Sequence, residues 1–293
     1  MRLTLAQKKA FWGYVFITLP VVYFLVVFIV PMLQAFYFSV LKYNTLSTVR
    51  LFVGLENYRT MLDDEIFGKA LWNTIRYTIV RAPGVLLISL ITALMLQNIT
   101  RGKDFLRTLI MLPFMTSGVI MAWIFNYLYS RIGPITIFLT TLGVERPQLM
   151  TNPKTALYAI AIVTIWGSIG YYTLLITVGL DAIPDELYDA AKVDGANSWE
   201  IFRHITIPLL NPTIVLVSII AVTASLKNFD VVRSMTGTGG PLNSTLTLPL
   251  MIYMEAFTRL NMGRASAMTL VFFLFILIIT YIQLKLITRE VHY

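Results

Sequence analysis

The sequence predicts an all-α, polytopic membrane protein: one transmembrane domain over 1–293 with six helical spans and a short helical loop outside the bilayer. Three observations carry this. Of 293 residues, 57% are hydrophobic and only 13% charged, where an ordinary soluble domain has about a quarter charged. Mean hydropathy is +0.74. The apolar residues also arrive in unbroken runs, and the hydrocarbon core of a bilayer needs about 20 such residues in a helix.

Six charge-free runs meet that length: Ala10 to Leu41, Ala82 to Thr100, Thr108 to Ser130, Thr155 to Leu180, His204 to Leu226 and Ala265 to Leu284. They give approximate spans at 12–38, 76–98, 108–130, 155–180, 207–226 and 265–286. The first run follows Arg2, Lys8 and Lys9, as a signal peptide would, but 32 uncharged residues without a small-residue cleavage site read as a retained span. Between spans one and two, the polar stretch Lys42 to Arg81 suggests short amphipathic helices on a membrane surface. A seventh uncharged stretch, Ser234 to Met254, is rich in Gly, Pro, Asn, Ser and Thr, so it reads as a loop followed by a short helix. The basic N-terminal flank and the Arg101, Lys103, Arg107 loop favour an N-terminus inside the cell, although the whole-chain count does not decide orientation.

The net charge of +8 is spread over single Lys and Arg residues, with no run of five and no interleaved stacking aromatics, which argues against nucleic-acid binding. Without Cys and with only His204 and His292, the chain has neither disulfide nor thiolate site and too few histidines for a metal. The Gly237-Thr238-Gly239-Gly240 run is a turn rather than a phosphate cradle, because no Lys comes after it.

The segment between spans four and five, LDAIPDELYDAAKVDGANSWEIFRHITIPLLNP, predicts two short helices and a turn. Pro184 fits the first helical position, Asp185 and Glu186 suit the positive end of the helix dipole, and Lys192 suits the last turn. Gly195 can take the positive φ that ends the helix. Asn197 and Glu200 have capping-box spacing, and Pro208 ends or kinks the second helix at span five. Ala190 and Ala191 leave a small face open to another backbone.

This loop resembles the signature loop of permease subunits of ATP-binding-cassette importers. The family pattern is Glu-Ala-Ala, three residues, Gly, nine residues, Ile, one residue, Leu-Pro. Asp189, Ala190, Ala191, Gly195, Ile205, Ile207 and Pro208 fall at those spacings, with Asp189 for Glu and Ile207 for Leu, and Asp194-Gly195-Ala196 strengthens the match. FVGLENY (Phe52 to Tyr58), ALWNT (Ala70 to Thr74), the Thr236 to Phe257 stretch and MGRASAM (Met262 to Met268) are similar to wording in the carbohydrate-type branch, including its glycerol-phosphate members.

The resemblance implies the fold of a type I importer permease in the inner cell membrane, with both termini cytoplasmic. It implies a second permease subunit, a dimer of ATP-binding subunits that holds ATP and Mg, and an external solute-binding protein, with no cofactor on this chain. The loop at 181–206 becomes a cytoplasmic coupling helix that docks on the ATPase, through Asp185, Glu186, Asp189, Ala190, Ala191, Asp194, Gly195, Ala196, Phe202, Ile205 and Pro208. The loops at 39–75, 131–154 and 227–264 become external.

Two alternatives stay open on the residues themselves. An ion-coupled secondary transporter is also a helical bundle, but none of the six runs contains the ionisable group such coupling uses. A lipid-head-group transferase needs acids converging on a metal, and Gly195 breaks the helix that carries Asp189 and Asp194, with no further acidic motif in the spans. For a substrate path, Trp123, Asn126, Tyr127, Tyr171, Tyr172, Asn228 and Asp230 offer the aromatic faces, amides and carboxylate that polyols bind, though Trp and Tyr at span ends also anchor helices at the interface.

Overall fold

The computed structural model describes residues 4–47, 50–144 and 147–287. Arg2 of the basic flank and the C-terminal stretch with His292 lie outside them. In chain order the elements are α1 (Leu5–Phe24), α2 (Val30–Ser39), β1 (Leu41–Lys42), β2 (Leu51–Phe52), α3 (Glu56–Leu62), α4 (Glu65–Gln97), α5 (Lys103–Met115), α6 (Gly118–Leu128) and α7 (Pro134–Thr141). Next come α8 (Ala156–Asp181), α9 (Asp185–Val193), α10 (Ser198–Ile201), α11 (Ile207–Leu226), α12 (Asp230–Thr236), α13 (Leu248–Tyr253) and α14 (Met262–Ile287). Among the described residues five helices are long and apolar enough to cross a membrane, and α5 with α6 makes a sixth if that bent pair counts as one span.

Prolines leave a recurrent mark. Pro31 near the start of α2 and Pro208 near the start of α11 each come after a π-helical turn, Leu25–Ile29 and Phe202–Thr206. A proline lacks an N–H and its ring crowds the preceding turn, and widening that turn keeps the helix continuous. Of the two outcomes the sequence allows at Pro208, an end or a kink, the end is ruled out: α10 runs on through the π turn into α11.

The chain forms two compact units. In the first, built on α1 to α3 and Ile252–Phe273, the Phe11–Ser39 helix has no part of its apolar window buried by the chain. β1 and β2 form a two-stranded antiparallel ribbon. Asn57 Nδ2 donates to the carbonyls of Ser39 (2.8 Å) and Leu41 (2.9 Å), and the Tyr58 hydroxyl donates to Ser39 Oγ. Gly263 N–H donates to Tyr43 O at 3.1 Å, and any Cβ on Gly263 would collide with Leu41 O. Arg264 pairs with Asp64, and Arg259 with the buried Glu255. The FVGLENY and MGRASAM stretches thus meet the same turn after α2.

In the second unit, Glu65–Met251 with Leu274 onward, α8 is central and packs against α4, α5, α6, α11 and α12. Small residues set the approach, as packing without a hydrophobic drive between helices requires. A Cβ on Gly170 would strike the backbone of Ile110 in α5, and one on Gly179 would strike Thr213 in α11. Asn73 Nδ2 donates to Asn243 O (2.8 Å) and Leu246 O (3.0 Å), while Thr74 Oγ1 accepts from Leu248 N–H at 2.8 Å. The ALWNT stretch therefore holds down the irregular 237–247 segment.

Candidate functional site

The signature loop builds itself from local chemistry. Pro184, in extended conformation (φ −62°, ψ 133°), is the N-cap of α9 rather than its first residue, one position earlier than the sequence suggested. Asp185 and Glu186 occupy the first turn and Lys192 the last. Gly195 closes the turn at φ +82°, with its N–H donating to Lys192 O at 3.1 Å. The capping box forms: Asn197 Oδ1 accepts from the N–H groups of Trp199 and Glu200, both at 3.0 Å, and Glu200 Oε2 accepts from Asn197 N–H at 2.7 Å.

Asp185, Glu186, Asp189, Ala190, Asp194 and Gly195 are exposed, and Ala191, Ala196, Phe202, Ile205 and Pro208 are half-buried. Asp189 accepts from Lys192 Nζ at 2.9 Å on the surface, a weak interaction in water. The loop also carries exposed apolar side chains outside the predicted docking set: Val193 is 87%, Trp199 64% and Leu187 42% exposed. Apolar residues inside a polar, charged loop are the signal that could have marked them, since exposed apolar side chains suit a protein contact.

Beneath the loop, the chain is tied to the bundle. Ile183 and Leu210 are buried in one apolar core with Ala82, Val85, Tyr172, Ile176 and Leu180, and Tyr188 and Leu209 pack against it. The Tyr188 and Thr206 hydroxyls share a hydrogen bond at 3.4 Å, and Arg107 pairs with Asp181 at 3.3 Å. The two ends of the loop are thereby packed into the same core as residues of α4, α8 and α11.

The same core leads to a break in the bundle. The charge-free run at 108–130 reads as one span, but α5 and α6 meet at 90° across Thr116 and Ser117. Both residues have extended ψ (135° and 134°), which ends α5 two residues after Pro113 and restarts the helix at Gly118. Behind the break lies a cavity of about 160 Å³, lined by Arg81, Phe114, Thr116, Gly118, Met121, Thr164, Gly167, Ser168, Asn228 and Val231.

Arg81 stands one residue before the charge-free run at Ala82 but inside the expected 76–98 span, so a count of charge-free runs misses an ionisable group in the bundle. It lies well inside the 33-residue α4 and is 5% exposed. Its Nη1 donates to Ser225 Oγ and its Nη2 to Ser168 Oγ, both at 2.8 Å. Each serine spends its own proton on a helix carbonyl, Ala221 O and Thr164 O, so its lone pairs face the guanidinium.

Of the other sequence candidates, Asn228 lines this cavity and its Oδ1 is buried without a partner. Tyr171 stacks on Phe114 of the cavity wall (centroids 4.9 Å, 16° between planes), and buried Tyr172 abuts Tyr171 edge-on. Asn126 lines a different cavity, of about 730 Å³, with Tyr129, Arg131, Thr136, Gln148 and Met235. Trp123, Tyr127 and Asp230 are exposed and line neither cavity.

Residues 84–292 match the family described as binding-protein-dependent transport system inner membrane component. The chain belongs to this family. It is a multi-pass permease subunit of an importer that works with a binding protein, and a transport component rather than an enzyme. Membership displaces the secondary transporter and the transferase as alternatives.

Among its relatives, the chain is 36% identical to the sulfoquinovosyl glycerol transport system permease protein SmoG of Agrobacterium fabrum, over 82% of this chain and 78% of that one. It is 32% identical to the multiple sugar-binding transport system permease protein MsmF of Streptococcus mutans, over 94% and 95% of the two chains. It is also 31% identical to the sn-glycerol-3-phosphate transport system permease protein UgpA of Escherichia coli, over 91% and 90%. A chain of a bacterial ABC transporter that imports the acidic polysaccharide alginate shares the fold, with a TM-score of 0.84 over 97% of this chain and 98% of that one at 20% identity.

Proposed function

We propose that this permease moves a sugar, oligosaccharide or glycerol-phosphate-type solute into the cytoplasm, driven by ATP hydrolysis in a partner dimer that docks on the 181–206 loop. The names of its relatives support the substrate class. The observation that carries the mechanism is the joining of an exposed, capped loop and the walls of the cavity by one core: Ile183 and Leu210 at the loop end, Tyr172 and Ala82 beside Arg81. A ligand shifts a conformational equilibrium only as far as it prefers one state. ATP, held with Mg on the partner subunits, supplies that preference, and the loop transmits it to the helices around the cavity.

In this reading the N- and C-termini and the 181–206 loop are cytoplasmic. A second permease completes the pathway, the unburied first span meets lipid and that partner, and the external solute-binding protein delivers substrate to the 39–75, 131–154 and 227–264 segments. Substrate passes the cavity at the α5–α6 break, with Asn228 and Tyr171 among its contacts. The test is uptake and ATP hydrolysis by the complete transporter in proteoliposomes, comparing wild type with Asp189→Lys and Val193→Glu. Hydrolysis that no longer drives uptake, in an intact complex, is expected. Normal coupling in both variants would count against the docking role of the loop.

A further inference from the structure

We infer that the substrate of this permease carries an oxyanion, a carboxylate, sulfonate or phosphate, and that Arg81 is the residue that selects for it. The inference rests on the reading that the cavity at the α5–α6 break lies on the substrate path, and it adds what that path prefers.

A guanidinium does not lose its proton in a protein, and burying a charge is costly unless it is paired. Among the described residues Arg81 makes no ion pair; its partners are neutral hydroxyls, those of Ser225 and Ser168 at 2.8 Å and that of Tyr172, and its Nε is buried. Asp230 lies next to the lining, its Cβ 4.0 Å from where a Cβ on Gly118 would stand, but it is exposed and does not itself line the space. A full positive charge thus stands at membrane depth beside an open space, and no acid among the described residues pairs with it.

Gly118 at the N-terminal end of α6 lines the space, but so do Phe114 and Thr116 at the C-terminal end of α5, so the two helix-end charges oppose each other and the positive field is that of Arg81. One further feature of the space agrees. At about 160 Å³ the space is smaller than the roughly 300–1,000 Å³ of a whole-ligand pocket, which suits one charged substituent with the rest of the molecule extending outward. Asn228 Oδ1, also unpaired, accepts from a hydroxyl on that remainder. The chemistry that satisfies both groups is a polyol or sugar with one acidic substituent.

The experiment uses the complete purified transporter with its binding protein and three matched probe pairs: glycerol and sn-glycerol 3-phosphate, methyl glucoside and its 6-sulfonate, and glucose and glucuronate. Uptake is measured for wild type, Arg81→Gln and Arg81→Lys, and binding to the transporter without its binding protein is followed by saturation-transfer NMR. At least one anionic member is expected to be preferred over its neutral twin by wild type. That preference should fall roughly ten- to a hundredfold in Arg81→Gln and largely survive in Arg81→Lys.

No preference for any anionic member, a preference that survives in Arg81→Gln, or an equal loss for both members of a pair would overturn the inference; the last would make Arg81 a cross-link between helices. Asn228→Ala separates this from the parent reading. If it leaves transport of every substrate unchanged, the cavity is off the path; if it impairs transport while Arg81→Gln does not discriminate, only the anion inference falls.

Discussion

Gly195 offers a graded test of the coupling loop because its role is conformational alone. Its φ is +82°, and nothing lies within 4 Å of where a Cβ would stand. Alanine there adds no clash but forces an L-residue into the left-handed region, at about 1–2 kcal/mol. That lowers the ratio of formed to misformed turn by roughly 5- to 30-fold. Asparagine, which tolerates this region, should do less harm. Proline fixes φ near −65° and removes the N–H that donates to Lys192 O, at a cost of about 3 kcal/mol or more.

Hydrogen exchange across α9 and α10, together with substrate moved per ATP hydrolysed in proteoliposomes, should follow the order glycine, asparagine, alanine, proline. An alanine variant as damaged as the proline one, or a proline variant that couples normally, would show that the turn at Gly195 does not control coupling.

Gly170→Ala puts a methyl group against the α5 backbone at Ile110, a collision that backbone cannot relieve cheaply; overpacking of this kind costs about 1–3 kcal/mol, so the thermal midpoint in detergent should fall by several degrees. Asn73→Ala takes the side-chain donor from the carbonyls of Leu246 and Asn243, the second of which keeps only its 3.3 Å bond from Leu246 N–H, at a cost of about 1–3 kcal/mol, and limited proteolysis should become faster within 237–247 while the bundle stays resistant. For the Arg264–Asp64 pair, where each side chain is 19% exposed, either single neutralisation should destabilise more than Asp64→Asn with Arg264→Gln together, because a lone part-buried charge is worse than none; equal or additive losses in melting experiments would contradict this.

Local chemistry is the part of this molecule that its sequence makes legible. The Asn197–Glu200 capping box, the Gly195 turn and the charge-free helices all depend on residues within a few positions of one another. Hydropathy counts residues without regard to backbone direction, so the uncharged Thr116-Ser117-Gly118 hides a 90° bend. Arg81 escapes such a count because its charge marks the edge of the run starting at Ala82, whereas α4 carries it inside the bundle to two serines more than eighty residues away. Asn73 and Asn57 stand in stretches singled out by resemblance, but their partners at 243–246 and 39–41 are set by the fold. Val193 and Trp199 escape notice as long as acids and small residues, rather than exposed apolar ones, serve as the docking signal.

In the proposed function the 181–206 loop contacts the ATP-hydrolysing subunits. A photo-crosslinking amino acid placed at Val193, 87% exposed at the end of α9, probes that contact in the assembled transporter. The crosslinked product should contain the ATP-binding subunit, with a yield that changes when ATP is added. A product containing the solute-binding protein, or no product from a transporter that still imports, would contradict it.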